Sequence, residues 1–462
     1  MTGLPSQKVT IVGAGLVGPL LALTLARRGF AVTLFERRAD PRVSRAESGR
    51  SINLALSARG IRPLEHAGIF PRIEPLLLPM RGRMVHEQSG TRLFHPYGQR
   101  PGEVNHSIGR AALNRTLIEA AERAGVELRF GQRCAGLDAS GSQLLMHDEA
   151  SGRDYSLAAG PVIAADGAGS AIRAALAAAG AASERIEPLE HDYKEMTLPS
   201  VAGRPALEPD ALHIWPRGGF MLIALPNPDG TFTATLFLAR TGARSFATLA
   251  DAAAAGPFFR EQFPDLAEHL PALMTDWSRN PQGQLATVYT AGWHLGGRVL
   301  LLGDAAHAIV PFHGQGMNAG FEDCAVLEEL LGRCGDWAEA FAQFERRRRP
   351  DTEAIARMAL ENYLEMRDSV REPDFQRLKT LAFALERRFP RRFIPRYSMV
   401  MFHPEISYLE ALRRGEAQRE ILAELDRKRT AAGEIDMALA ERLVRARLPD
   451  RSAEIDPVES GT

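Results

Sequence analysis

Lys8 to Val12 is a short apolar run of the kind that forms a buried parallel strand, and Gly13-Ala14-Gly15-Leu16-Val17-Gly18 follows it without interruption. Leu16 to Arg28 then has helical composition and stops at Gly29, and Ala31 to Phe35 is a second apolar strand that ends at Glu36. Strand, glycine turn, helix and strand make one βαβ unit, which commits the chain to a mostly parallel α/β sheet. Bare backbone at Gly13, Gly15 and Gly18 lets a pyrophosphate approach the positive end of the helix, and Glu36 is placed to accept hydrogen bonds from ribose hydroxyls. A free carboxylate there repels a 2′-phosphate, which leaves the adenosine of FAD or NAD as the expected ligand. Pro19 falls in the first helical turn, where no hydrogen bond is lost.

A chain of 462 residues is too long for one ordinary core. A helix over Ala111 to Ala124 closed by Gly125, a strand over Val126 to Phe130, and a strand over Val162 to Ala164 entering Ala165-Asp166-Gly167 continue the first pattern. Between Ala211 and Leu238 the texture changes to short β-rich runs separated by Pro, Gly and Asn turns, which predicts an inserted antiparallel sheet. Val299 to Leu302 returns to a buried parallel strand, leads into Gly303-Asp304, and is followed by a helix from Met317 to Leu331. From Trp337 the pattern is helical, with a polar tail from Pro449 that is expected to fray. The expected fold class is α/β, or α+β over several domains. A discontinuous Rossmann-like nucleotide domain takes residues 1–75, 104–182 and 285–332; a β-sheet substrate domain takes 76–103 and 183–284; a helical domain takes 333–462.

The choice between FAD and NAD turns on Gly303-Asp304 and Gly314-Gln315-Gly316-Met317-Asn318. Two nucleotide-contacting turns this far apart suit a long ligand such as FAD, with Asp304 at one of them. A helix starting at Gly316, Met317 and Asn318 would set backbone N–H groups beside the negative charge that develops on a reduced flavin.

Composition excludes other classes. With 56 basic against 57 acidic side chains the net charge is −1, unsuited to coating nucleic acid or an anionic membrane. The run Arg346 to Arg349, before Pro350, reads as a solvated, positively charged helix end. Cys134, Cys324 and Cys334 form no metal spacing, and their odd number fits a reducing compartment. No charged-then-apolar targeting segment and no bilayer-length apolar run is present, so a cytoplasmic, soluble protein is expected. The sequence leaves a homodimer open.

The glycine fingerprint with Glu36, Ala165-Asp166-Gly167, and Leu302-Gly303-Asp304-Ala305-Ala306-His307 resemble the single-component flavin hydroxylases. Gly49 to Leu56 (GRSINLAL), Met80 to His86 (MRGRMVH), Leu212 to Pro216 (LHIWP), Val310 to Asn318 (VPFHGQGMN), Glu361 to Met366 (ENYLEM) and Arg392 to Met399 (RFIPRYSM) are similar, within that class, to the kynurenine 3-monooxygenase family. The likeness runs to about Phe402. It implies FAD as cofactor, NADPH and O2 as co-substrates, and hydroxylation of L-kynurenine to 3-hydroxykynurenine in tryptophan degradation. The expected course is reduction of FAD by the nicotinamide, addition of O2 to give a flavin C4a-hydroperoxide, and transfer of the distal oxygen to the ring carbon beside the aniline nitrogen.

The resemblance also implies residues. Arg83 and Tyr97 hold the amino-acid end of the substrate, Asn362 and Tyr397 add polar contacts, Arg110 and Cys134 contact FAD, and the backbone near Ala55 lies against the flavin. Most members carry an aliphatic residue where Cys134 stands. An arginine fork and a phenol suit a carboxylate in a desolvated pocket, although Arg83 taken alone reads as a surface arginine. Ile355, Met358, Ala359, Asn362 and Met366 share a helical stripe, so Asn362 is a buried amide that needs a partner, either substrate or a neighbouring loop. Glu365 faces the substrate amine or solvent. Phe237 and Phe312, backed by Leu212 and Ile223, are candidates for the walls around the ring, and equally for plain core. His307 and His313 lack a partner at metal spacing and read as structural. Two rival readings remain open: a hydroxylase of a phenolic acid, and a flavin-binding redox module without turnover.

Overall fold

The computed structural model describes residues 8–43, 53–138, 140–158, 160–368, 373–429 and 434–451. The Gly49–Ile52 part of the second motif and the tail beyond Arg451 lie outside the described residues. Lys8–Val12 is central in a six-stranded sheet, between Ala31–Phe35 and Val162–Ala164, with Glu127–Arg129 beyond one side and Val299–Leu301 then His294–Leu295 beyond the other. All pairings are parallel except the last. Val12 lies level with both Phe35 and Ala164, and Ala164 with Leu301. The turns at Gly13, Glu36, Ala165 and Leu302 therefore leave one sheet edge together, which is where such folds bind ligands.

The inserted sheet has seven strands, ordered Gln282–Ala291, Ser183–Leu198, Phe232–Ala239, Met221–Pro226, Ala211–Pro216, Gly82–His86 and Arg92–Pro96. Its pairs are antiparallel apart from Ala211–Pro216 with Gly82–His86. Alternation along Ala211–Pro216 sends Trp215 to a core shared with the helices Ala252–Gln262 and Leu270–Arg279, and sends Leu212 and Ile214 to the opposite face. Two further sheets are ones that the sequence reading does not anticipate. One is the meander Gln132–Leu137, Gln143–Asp148, Arg153–Ala158, whose strands are half-exposed and carry no apolar run longer than Leu144-Leu145-Met146; the other joins Asn53–Leu56, Asn105–Gly109 and Leu78–Met80.

The reading of Arg346 to Arg349 is corrected. The helix Trp337–Arg367 continues through Pro350 for 31 residues, and Arg348 is buried. Phe341, Phe344, Arg348, Thr352 and Ile355 form one inward stripe, and burying that stripe outweighs the cost of a proline within the helix. Arg348 is matched by Asp323 and Glu322, both at 2.7 Å. No helix among the described residues is long and apolar enough to cross a membrane.

Candidate active site

The glycine turn is built by close approach. A Cβ on Gly18 would stand 1.9 Å from the Gly13 carbonyl oxygen, and one on Gly13 would stand 2.3 Å from that of Ala165, at φ +105°. A Cβ on Gly15 would meet nothing within 4 Å, so its α-carbon faces open space in the crevice. The Asn114 amide secures the turn by donating to the carbonyls of Ala14 and Gly15 at 3.0 and 2.7 Å. Glu36 accepts from the Ala14 amide at 2.8 Å and from the amide and Nε of Arg38 at 3.0 and 2.9 Å, so its carboxylate braces the turn it faces.

The second pair of turns converges on the same crevice. Gly303 has φ +61°, and a Cβ there would come 3.4 Å from the Val17 side chain, which ties this turn to the first. Asp304 is exposed to the crevice, and desolvation by the groups around it pushes its carboxyl up, against the pull of His307 and Arg110. Arg110 is exposed at the start of the helix Arg110–Arg123. Cys134 is half-buried and donates to the Gly136 carbonyl at 3.6 Å; burial pushes its thiol up to about 11.

Asn318 does not aim its side chain into the crevice. Its Oδ1 accepts from the Ser57 amide at 3.0 Å, and its Nδ2 donates to the Ala55 and Gly314 carbonyls at 2.9 and 2.7 Å. It staples the Asn53–Leu56 strand to the glycine turn, which leaves the backbone of Gly316 to Asn318 for a ligand.

These residues fit FAD on three observations. The helices Val17–Arg27 and Gly316–Leu331 both start without a side-chain cap, leaving N–H groups for an anion or an electron-rich ring. Asp166 accepts from the Ala171 amide at 2.9 Å, while its buried Oδ1 has no partner. Gly15 leaves room for backbone contact with a pyrophosphate.

Behind the crevice lies a charge cluster that sequence reasoning missed. Asp323, fully buried, accepts from the Gly303 amide at 3.1 Å, from Arg348 Nε at 2.7 Å, and pairs with His307 Nε2 at 2.6 Å. Burial opposes its ionisation, but His307 and Arg348 overcome this and hold its carboxyl below the usual range. Glu322 links Arg348 to Arg59, each at 2.7 Å, and Arg59 lies 4.1 Å over the Tyr408 ring. His307 is thus an internal brace of the Gly303-Asp304 turn. Asp323 sits seven residues beyond Gly316 on one helix, and only the fold brings it to His307.

The second half of the site lies between the seven-stranded sheet and the helix Trp337–Arg367. Leu212 pairs with Arg83 across neighbouring strands, which puts both on one face. Ile214, Met221, Phe237, Phe312, Tyr363 and Met366 form an apolar box, and Leu212 and Ile223 pack against it. The same two residues also pack against the cluster of Met80, Tyr97 and Leu225, together with Tyr397. Leu212 and Ile223 therefore join an aromatic box to a polar end. In the box, Phe237 meets Phe312 edge-on at 4.8 Å, and Phe312 stacks on Tyr363 at 4.1 Å. Asn362 is buried, donates to the Phe312 carbonyl at 2.6 Å and reaches Met366 Sδ at 3.3 Å.

At the polar end Arg83 lies 4.8 Å over the Tyr397 ring and 5.8 Å over that of Tyr97, and Glu365 approaches it at 3.8 Å. Its Nε is buried without a hydrogen-bond partner. Tyr97 and His313 each stack against Tyr397, at 5.4 and 5.5 Å. Burial pushes the His313 imidazole down to about 3, so it is neutral. The structure places Phe237, Phe312, Met366, Leu212 and Ile223 in or against the aromatic box with Asn362 beside it, and brings Arg83, Tyr97, Tyr397 and Glu365 together at the polar end. Sequence reasoning missed Asn105, whose Nδ2 donates to the Tyr397 hydroxyl at 3.0 Å, and Lys379, whose ammonium is pushed down to about 8 by burial and by Arg83. It also missed Tyr363, which the helical period through Ala359 and Met366 could have found.

Comparison with known proteins agrees with this architecture. Residues 6–359 match the family model described as FAD binding domain. Kynurenine 3-monooxygenase of Stenotrophomonas maltophilia (strain K279a) is 46% identical over 445 residues, covering 96% of this chain and 98% of the relative. That of Xanthomonas campestris pv. campestris (strain 8004) is 47% identical over 443 residues, covering 96% and 97%. Among solved structures, tetrameric 2-methyl-3-hydroxypyridine-5-carboxylic acid oxygenase superposes with TM-score 0.66 at 18% identity, covering 80% of this chain and 95% of that one. PqsL of P. aeruginosa, in complex with 2-aminobenzoylacetate, gives TM-score 0.63 at 21% identity, covering 78% and 96%. These two speak to the fold.

Proposed function

The chain belongs to the kynurenine 3-monooxygenase family of FAD-binding-domain proteins, and on that premise we propose that it hydroxylates L-kynurenine to 3-hydroxykynurenine with FAD, NADPH and O2. The observation that carries the reading is Arg83: a guanidinium whose side chain is 12% exposed, with a buried and unpartnered Nε, beside two phenols, at the end of an aromatic box. Donors without an acceptor call for an anion, and an apolar cluster lined with aromatic rings beyond them suits an aromatic body.

The roles of the individual residues follow. Arg83 and Tyr97 grip the carboxylate; Tyr397 and Glu365 contact the amino-acid end; Phe237, Phe312, Leu212, Ile223 and Met366 fix the plane of the ring and exclude water. Asn362 holds the Phe312 carbonyl, so it sets the position of the ring wall. Gly13, Gly15, Gly18 and Glu36 receive the adenosine diphosphate half of FAD. Asp304, Arg110 and Cys134 line the middle of its path, and Ala55 with the backbone of Gly316, Met317 and Asn318 receives the flavin. Bound FAD supplies the oxygen-activating chemistry. The aniline nitrogen already donates electrons to the ring, so the protein's work is orientation rather than strong acid or base catalysis. The three cysteines are free, which fits a cytoplasmic enzyme.

The test is flavin reduction by NADPH with and without L-kynurenine, followed by product identification. Stimulated reduction and 3-hydroxykynurenine are expected. Reduction that L-kynurenine leaves unchanged, with no hydroxylated product, would remove the substrate from the reading and keep the flavin.

A further inference from the structure

The polar end of the substrate site can be read from its inventory of donors and acceptors. Arg83 can only donate. Tyr397 receives the Asn105 amide at 3.0 Å, so the proton of its own hydroxyl must point elsewhere, and the adjacent Arg83 cannot accept it. Tyr97, stacked on Tyr397 at 5.4 Å, brings a second hydroxyl to the same place. All of these groups suit the carboxylate of an amino acid.

One atom has the opposite character. Asn105 is 1% exposed, and its Oδ1 is buried without any hydrogen-bond partner. His95 Nε2 and His313 Nδ1 are also buried and unpartnered, but a ring nitrogen can serve as donor or acceptor, whereas an amide oxygen can only accept. A buried acceptor left empty is costly, and the cost is recovered when a ligand brings the donor. The backbone around Asn105 is firmly anchored, because its strand Asn105–Gly109 pairs with Leu78–Met80, and Met80 packs with Tyr97. The Glu365 carboxylate beside Arg83 also accepts, but it is already drawn to Arg83 and its side chain is 31% exposed, so water competes there.

Resting on the amino-acid substrate proposed above, we infer that Asn105 is the acceptor for the substrate's α-ammonium group. It makes the site selective for a zwitterionic α-amino acid over the corresponding plain carboxylic acid. Asn105 is then a specificity-determining residue for this reaction, in addition to orienting the Tyr397 hydroxyl.

The experiment compares two ligands on the FAD-loaded enzyme: L-kynurenine and its deaminated counterpart 4-(2-aminophenyl)-4-oxobutanoate, with Kd read from the perturbation of the flavin spectrum. A hydrogen bond to a charged group predicts that the wild-type protein prefers the amino acid by about 10- to 100-fold. Asn105→Leu should bind both ligands with similar Kd, and Asn105→Asp, which keeps an acceptor, should retain the preference. Any disturbance of Tyr397 weakens both ligands alike and cancels in the ratio, so a merely structural role would not change the preference. A wild-type preference that survives in Asn105→Leu, or that is lost equally in Asn105→Asp, overturns the inference. Absence of any preference in the wild-type protein overturns it also, while kynurenine binding itself stands. If the wild-type protein binds neither compound, the substrate reading and this inference fall together.

Discussion

The Arg83 guanidinium stands 3.8 Å from a Glu365 carboxylate oxygen, too far for a short ion pair, and its Nε has no partner at all. The fork is held in place by Tyr97 and Tyr397, so its charge is engaged and its geometry is free. Arg83→Lys keeps the charge and loses the two-pronged match to a carboxylate. The expected result is a rise of about 10- to 100-fold in KM for L-kynurenine, with FAD still bound and kcat changed far less. Steady-state kinetics with the flavin content measured in parallel would check it, and an unchanged KM would contradict the carboxylate role.

Gly15 separates cofactor binding from folding in a way that its two neighbours do not. A Cβ at Gly13 or Gly18 would collide with backbone within the protein, whereas one at Gly15 would meet no protein atom within 4 Å and, in the cofactor placement proposed above, would stand in the path of the pyrophosphate. Gly15→Val is expected to give an apoprotein with a thermal midpoint close to that of the wild-type apoprotein and an FAD Kd raised about tenfold or more. Titration of apoprotein with FAD, beside a melting curve without it, decides. A variant that melts early in the absence of FAD would show that Gly15 serves the fold instead.

The parts of this protein legible in the sequence are those written in consecutive residues. The strand, glycine turn, helix and strand from Lys8 to Phe35 formed within one residue of expectation at each end, because period and stop residues are local. The stripe that placed Asn362 inward was legible for the same reason. Arg348 was misread because a basic run before a proline gives the same local signal whether or not acids wait across the core. Its partners Glu322 and Asp323 lie about 25 residues earlier, on another helix. Asn105 and Lys379 gave no signal either: one is a polar residue in a short strand, the other a lysine on a helix, and only packing against Tyr397 and Arg83 makes them part of the site.

Asp323 joins the Gly303-Asp304 turn to the helix Trp337–Arg367, and its loss has two effects of different kinds. Asp323→Ala strands part of the charge of buried Arg348, although Glu322 at 2.7 Å and Asp351 at 3.5 Å remain. Breaking a buried pair costs about 3–5 kcal/mol, and the surviving acids put the expected loss near the lower end. Chemical denaturation of the apoprotein should show that loss. FAD affinity should also fall, since Gly303 N–H and His307 lose their common acceptor. Wild-type stability in this variant would mean that the cluster contributes nothing net.

Lys379 gives the site a pH dependence whose sign can be worked out. Burial and the charge of Arg83 push its ammonium down from 10.5 to about 8, with Glu365 pulling the other way. Below pH 8 the polar end therefore carries two positive charges; above it, Arg83 alone remains positive. Affinity for a carboxylate should be highest below pH 8 and weaken as pH rises through that value, so KM for L-kynurenine should climb on the alkaline side. His313, held near 3, stays neutral across this window and adds no limb. By linkage, binding of the anion favours the protonated lysine, so above pH 8 binding should take up a proton, measurable by calorimetry in buffers of different ionisation enthalpy. For stability the sign is set by the unfolded state, whose lysine keeps its proton up to about 10.4 while the native one has released it, so this group's contribution to stability rises from pH 8 toward that value. Lys379→Met should remove the alkaline limb in KM and the proton uptake together, and persistence of both in that variant would assign them to another group.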